Sequence, residues 1–189
     1  MRTQFRAFLS AIVIAISVSI PLIFSSFACA KDLTSEERTG LDRAVSQFSV
    51  AFQAGDFAAI LEALPPRVMD RFLRQSGISK EEFVKHVSDL MRKALTEVKM
   101  ISYAMDVGKA QAETRPDGTS YVLIPTQTVM QVPSGDKVSI KSHTLAIFEG
   151  GTWYLMRISD PPQVAVLVDV YPEFKSVTLP GDSTEILKD

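Results

Sequence analysis

Apolar side chains recur every three or four positions between residues 34 and 98, which is the spacing of one buried helix face. Thr34 and Glu37 form a capping box before the first such run, and Gly55 suits the left-handed conformation that ends it. Asp56 and Pro66 then suit the starts of two shorter helices. The apolar face of the first helix is predicted to hold Leu41, Val45, Phe48 and Phe52.

A second capping box, Ser79 with Glu82, opens what the pattern predicts to be the longest helix of the chain. We expect its apolar stripe to lie across the sheet that follows, because a sheet needs one face covered by helices. The stripe consists of Phe83, Val87, Leu90, Met91, Ala94 and Val98.

After Val98 the pattern changes to β-rich segments bounded by turn residues, which predicts an antiparallel meander of about four strands. Helices followed by such a meander predict an α+β fold, with N-terminal helices packed on a curved antiparallel sheet. Pro125 cannot donate to a strand ladder, so we expect a bulge or an edge there. The predicted strands are Ile101–Ala112, Tyr121–Val132, Lys137–Glu149 and Thr152–Ser159.

The C-terminal segment fits two structures. Asp160 and Pro161 are a typical N-cap and first helical residue, which favours a short helix through Tyr171. Alternating valines within residues 163–171 are equally typical of a strand. We favour the helix and keep the strand as the alternative.

The last hairpin fixes a register, because Gly150 and Gly151 form a two-residue loop between its strands. One face of the hairpin carries His143, Leu145, Ile147, Tyr154, Met156 and Ile158. The opposite face carries Thr144, Ala146, Phe148, Trp153, Leu155 and Arg157. We expect the first face to pack on the helices and the second to need cover from the C-terminal segment or a partner subunit. The predicted interface residues are Phe148, Trp153 and Leu155.

The same register predicts a pocket. A four-residue loop at 133–136 would place Thr126 opposite His143, where they would be the most polar groups of the first face. A ligand pocket needs a few polar groups in an apolar wall. The predicted ligand-binding residues are Thr126, His143, Leu145, Tyr154 and Met156. The alternative is a histidine near the sheet rim that hydrogen-bonds a neighbour or water.

Residues 1–30 have the pattern of an export signal, since two arginines precede a charge-free apolar run that ends in Ala28-Cys29-Ala30. Cleavage there would leave Lys31–Asp189 as an exported domain, periplasmic or extracellular, that contains no cysteine. Two alternatives stay open. The run is long enough to remain as a membrane anchor, and Cys29 could be lipidated, although its flanking residues make a poor lipobox.

Composition narrows the function classes. The 189 residues carry 20 Lys and Arg against 22 Asp and Glu. The chain therefore lacks the excess of basic residues that is typical of nucleic-acid-binding proteins. One cysteine and two histidines cannot build a four-ligand zinc site, and we expect neither a metal nor a cofactor. No Gly-x-Ser-x-Gly motif or phosphate-binding glycine loop occurs. Tyr103 and Asp106 fall on opposite faces of a strand and so do not form a catalytic pair.

Two segments carry a resemblance to a known family. Phe48-x-x-x-Phe52-Gln53-Ala54-Gly55-Asp56-Phe57 joins the first two helices, and Leu145-Ala146-Ile147-Phe148-Glu149-Gly150-Gly151-Thr152-Trp153-Tyr154 forms the last hairpin. With the order of elements over residues 34–159, they resemble the nuclear-transport-factor-2-like, ketosteroid-isomerase-like cone-fold superfamily. The resemblance implies a cone-like domain over 31–159, a C-terminal extension over 160–189 on or beside the sheet, and a homodimer.

That superfamily contains enzymes and many non-catalytic domains, so the fold alone chooses no function. We expect a non-catalytic binding domain for a small apolar or amphipathic ligand or a protein partner. One alternative is an isomerase or hydratase with His143 as general base and Thr126 or Tyr154 orienting the substrate. A second is an envelope interaction or dimerisation module. A membrane contact is expected only through an uncleaved N-terminal segment.

Overall fold

The computed structural model describes residues 33–115, 118, 120–158 and 160–187, in which helices precede a curled antiparallel sheet. The predicted α+β class and the order of helices before sheet are confirmed. The helices before the sheet are α1 (Ser35–Ala54), α2 (Phe57–Glu62), α3 (Pro66–Ser76) and α4 (Lys80–Ala94). The export signal predicted over 1–30 lies outside the described residues. Within the described ranges, no helix is both long and apolar enough to span a bilayer.

The helix ends follow the local sequence signals. Thr34 Oγ1 accepts from the Glu37 backbone N–H at 3.1 Å, and a Glu37 carboxylate oxygen accepts from the Thr34 N–H at 2.8 Å. Ser79 and Glu82 make the same reciprocal pair at the start of α4. Gly55 ends α1 at φ +67°, a left-handed conformation that glycine adopts without strain. Both predicted capping boxes are confirmed.

The sheet is a half-barrel built around two long central strands. The strands are β1 (Lys99–Met105), β2 (Gln111–Thr114), β3 (Ser120–Gln131), β4 (Lys137–Glu149), β5 (Thr152–Arg157) and β6 (Ser183–Leu187). β1 and β2 pair successively with one side of β3, while β5 and β6 pair with the side of β4 that β3 leaves open. Strand β6 was not predicted from the sequence.

Pro125 marks the break between β1 and β2. Its carbonyl accepts from the Asp106 N–H at 2.8 Å, on the side of β3 that β1 and β2 pair with. The proline nitrogen lies on the same side and has no N–H to donate to a neighbouring strand. A 3₁₀ turn at Val107–Lys109 lies there in place of a continuous strand. The segment predicted as the single strand Ile101–Ala112 is therefore two strands.

The register of the β4–β5 hairpin is confirmed, with Phe148 opposite Trp153 and Leu145 opposite Met156. The predicted β3–β4 register is wrong by one residue, because the connecting loop has five residues, 132–136, and Val132 hydrogen-bonds Asp136. Thr126 therefore faces Ser142 rather than His143. Because a one-residue shift exchanges sheet faces, Thr126 and His143 lie on opposite faces.

The face that was predicted to pack on the helices packs on the C-terminal segment, and the opposite face packs on the helices. The helix face, which packs against α1 and α2, holds Val122, Ile124, Ala146, Trp153 and Leu155. The tail face holds Tyr121, Leu123, Leu145, Ile147, Met156 and Ile158. Both faces are apolar, so the hydrophobic pattern of the strands could not tell them apart.

The residues predicted as an interface lie largely inside this fold. Trp153 and Leu155 are only 5% and 1% exposed. The Trp153 indole N–H donates to the Glu37 carbonyl of α1 at 2.7 Å. Phe148 is half-buried and packs against Trp153 with ring centroids 5.1 Å apart. Helix α1 provides the cover that was expected from the C-terminal segment or a partner.

Helix α4 differs from its prediction in length and position. It has 15 residues against 20 in α1, and it packs on α2 and α3 rather than lying across the sheet. Phe83 stacks on Phe72 of α3, while Leu90 is 53% exposed. Only the C-terminal end of α4, with Met91, and the following Leu95 reach the helix-face core.

The C-terminal segment covers the tail face. It contains α5 (Pro161–Val170), a 3₁₀ turn (Pro172–Ser176) and β6. The favoured helix is confirmed, and the Asp160 carboxylate caps it by accepting from the Gln163 N–H at 2.9 Å. Leu167, Tyr171 and Phe174 are fully buried against the tail face.

Candidate functional site

Polar side chains interrupt the helix face where β3 and β4 run past the apolar core. They form a group, here called the polar floor, whose members from β1, β3, β4 and β5 share this face. All but the arginine are buried. The polar floor consists of Tyr103, Thr126, Thr128, Ser142, Thr144 and Arg157.

Part of the polar floor is internally hydrogen-bonded. The Thr126 and Thr144 hydroxyls lie 2.9 Å apart, and Thr126 also donates to the Ile124 carbonyl at 3.0 Å. The ring of Tyr103 stacks on Phe52 at a centroid distance of 4.2 Å. Burial raises the pKa of Tyr103 to about 12, although Thr144 and Arg157 favour the ionised phenol. Tyr103 is therefore a neutral hydrogen-bonding group at physiological pH.

The rest of the polar floor has unused hydrogen-bonding capacity. The Thr128 and Ser142 hydroxyls and Arg157 Nε are buried without a hydrogen-bond partner among the described residues. Such groups are uncommon in native proteins, because each loses hydration without compensation. An end of the Arg157 guanidinium lies 3.6 Å from the Asp182 carboxylate, an ion-pair distance beyond a normal hydrogen bond.

An apolar groove of about 700 Å³ opens beside the polar floor. It lies between the C-terminal ends of α1 and α4 and the adjoining ends of β1 and β3. Its charged lining residues are Arg92 and Arg157, and no described lining residue is acidic. The apolar wall includes Phe52, Met91, Leu95, Val98, Met100 and Met130.

The predicted ligand-binding residues do not form one pocket. Thr126 belongs to the polar floor, whereas Leu145 and Met156 are packed in the tail-face core. Tyr154 is half-buried on the tail face, opposite Ile147.

His143 lines a separate open cleft of about 330 Å³ on the tail face. The cleft also includes Gln111, Glu113, Lys109 and Thr178. His143 and Thr126 both line a second open cleft of about 640 Å³ beside Pro125. His143 Nδ1 is buried without a hydrogen-bond partner among the described residues. Glu113 and Lys109 share this cleft, but neither hydrogen-bonds His143 Nδ1, as a second polar group of the enzyme alternative would.

Charged and phenolic groups fasten the C-terminal segment rather than line a groove. Arg115 pairs with Glu173 at 2.9 Å, and Tyr171 donates to Glu149 at 2.7 Å. Burial first, and then the bond to Glu149, raise the pKa of Tyr171 above its ordinary range. Within the described ranges, no cluster of three or more His, Cys, Asp or Glu side chains could hold a metal.

The polar floor was missed because the register prediction was one residue out. A usable signal was present in the sequence. Thr126 and Thr128 alternate in β3, as Ser142 and Thr144 do in β4, so each strand turns polar on one face. With the five-residue loop, these pairs fall side by side on the helix face.

Comparison of the chain with protein-family models finds no matching family, and comparisons with curated proteins and with solved structures find no match.

Proposed function

We propose that the protein is a non-catalytic binding domain that holds a small amphipathic molecule in the apolar groove. The observation that carries the proposal is an apolar groove whose lining includes Arg157, a polar-floor side chain whose Nε has no partner among the described residues. Ligand pockets combine such walls with a few convergent polar groups. The predicted site around His143 lacks the predicted apolar wall, since Leu145 and Met156 are packed in the tail-face core.

Family membership and location are parts of the same proposal. Helices packed on a curled antiparallel sheet are consistent with the nuclear-transport-factor-2-like cone, and the apolar run before Ala30 supports export. A carrier of amphipathic molecules would fit a location outside the cytoplasm. An isomerase or hydratase is less favoured, because His143 has neither Thr126 nor another described hydrogen-bond partner at Nδ1.

The test uses the neutral fluorophore N-phenyl-1-naphthylamine as a probe. We expect the purified chain to enhance its fluorescence and Leu95→Trp to abolish the enhancement by filling the groove. Leu90→Trp is the matched control, because Leu90 lies on α4 with its side chain exposed. Equal enhancement by both variants would place binding elsewhere. Native mass spectrometry of protein purified from its own envelope would also show retained ligand and whether the chain begins at Lys31.

A further inference from the structure

We infer that the molecule held in the groove carries an anionic head group, which Arg157 binds at the polar floor. This inference rests on the proposed function and specifies its ligand class. The occupant is an amphiphile with a carboxylate-like head and an apolar tail.

The charge of the groove supports an anion. Its charged lining residues are two arginines, and no described lining residue is acidic. Arg92 is already engaged, since it pairs with Asp89 of its own helix at 2.7 Å. Arg157 has unused donors, because Nε has no described partner and the contact to Asp182 is 3.6 Å long. A guanidinium has five N–H donors, and its fork matches a carboxylate in two parallel hydrogen bonds.

The sheet register places further donors beside Arg157. Arg157 lies opposite Thr144 in the β4–β5 pair, and Ser142 is the next residue of β4 on the same face. Thr128 precedes the groove-lining Met130 on this face of β3. Within the polar floor, the hydroxyls of Ser142 and Thr128 have no described partner. Neither hydroxyl lines the groove, so Arg157 is the polar-floor group that an anionic head would contact there, while the tail lies along the methionines of the wall.

Asp182 is the built-in competitor for the head group. Its carboxylate faces the same guanidinium that the ligand would use, and it directly precedes β6. Removing its charge should leave Arg157 more available. Asp182→Asn is therefore expected to strengthen anion binding, an effect that general damage to the fold would not produce.

The experiment compares decanoate, decanamide and decyltrimethylammonium as competitors of N-phenyl-1-naphthylamine, each below its micelle concentration. We expect decanoate to bind about ten-fold more tightly than decanamide, because a charge-assisted pair replaces a neutral hydrogen bond. The cationic amphiphile should bind most weakly. Arg157→Gln should remove the preference for decanoate, whereas Arg92→Gln, a change of the other lining arginine, should retain most of it. Asp182→Asn should raise decanoate affinity about three-fold, a smaller effect because the pair it removes is partly exposed.

The outcomes separate the two proposals. Equal binding of decanoate and decanamide, or a preference that survives Arg157→Gln, would overturn the ligand class and leave the binding function standing. Unchanged or weaker decanoate binding in Asp182→Asn would also count against Arg157 as the head-group site. Failure of the probe and of all three amphiphiles to bind at the groove would overturn the binding function itself.

Discussion

Gly40 shows how one missing side chain sets the distance between α1 and the sheet. A Cβ at this position would lie 3.2 Å from Trp153 Cδ1, closer than most carbon contacts allow. The indole cannot move away freely, because its N–H is bonded to the Glu37 carbonyl. Close packing here gives the buried tryptophan its position.

We expect Gly40→Val to destabilise the fold by ~2 kcal/mol, since overpacking a well-filled contact costs roughly 1–3 kcal/mol. Urea unfolding followed by the fluorescence of the single tryptophan would measure this loss, with a red-shifted native spectrum. Ser46→Val, at an exposed position of α1, controls for the helix propensity of valine. Equal losses in the two variants would contradict the steric explanation.

The sequence specified individual residues well wherever their structure is local. The capping residues Thr34 and Ser79 and the glycines of the last hairpin depend on neighbours within four positions. The site residues depend on the length of the loop between β3 and β4. One additional loop residue moved Thr126 away from His143 and into the polar floor. The sequence around Thr126 and His143 does not indicate the length of that loop.

At the scale of elements, a buried ion pair connects the end of β2 to the C-terminal segment. Arg115 follows β2 and pairs with Glu173 in the 3₁₀ turn after α5, with its guanidinium over the rings of Tyr171 and Phe174. The Arg115 side chain is 2% exposed. Arg67 of α3 makes a comparable pair with Glu149, but its side chain is 53% exposed.

We expect Arg115→Ala to cost ~3 kcal/mol, because removing one partner leaves the Glu173 carboxylate without its buried cation. Arg67→Ala should cost about 1 kcal/mol or less, as exposed pairs usually do. Thermal or urea unfolding of both variants would measure the difference. Similar losses in the two would show that burial does not determine the strength of these pairs.

Element positions were harder to predict than element types. Helix, strand and hairpin signals predicted α1 to α5 and the meander. Both sheet faces are apolar, however, so the sequence does not show which face packs on the helices and which on the C-terminal segment. Which face packs on the helices is determined by long-range contacts, such as that between α1 and Trp153. Helix α4 was misplaced because its apolar stripe meets α2 and α3 in addition to the core edge.

For the whole molecule, buried tyrosines link stability to alkaline pH. Burial raises the pKa of Tyr103 from 10.0 to about 12. Burial, and then hydrogen bonds to Glu113 and Glu149, raise the pKa values of Tyr121 and Tyr171 further. A folded-state pKa above the unfolded one favours the native state while the phenol is protonated. This contribution is complete below about pH 10 and is lost as the pH rises through 12.

We therefore expect the free energy of unfolding to fall between about pH 10 and pH 12 as these phenols ionise. Absorbance at 295 nm should show three of the four tyrosines ionising above about pH 11 in the native protein and near pH 10 in denaturant. Tyr103→Phe should remove one of these late ionisations. Native ionisation of all tyrosines near pH 10 would contradict the burial of the phenols.

Met91, Met100 and Met130 all line the groove, and this has a consequence for selectivity. Thioether side chains are unbranched and polarisable, so they adjust to contents of different shape at little cost. A wall of this kind would tolerate guests that differ by several methylenes, so the ligand proposed for the groove would be a chemical class rather than a single compound.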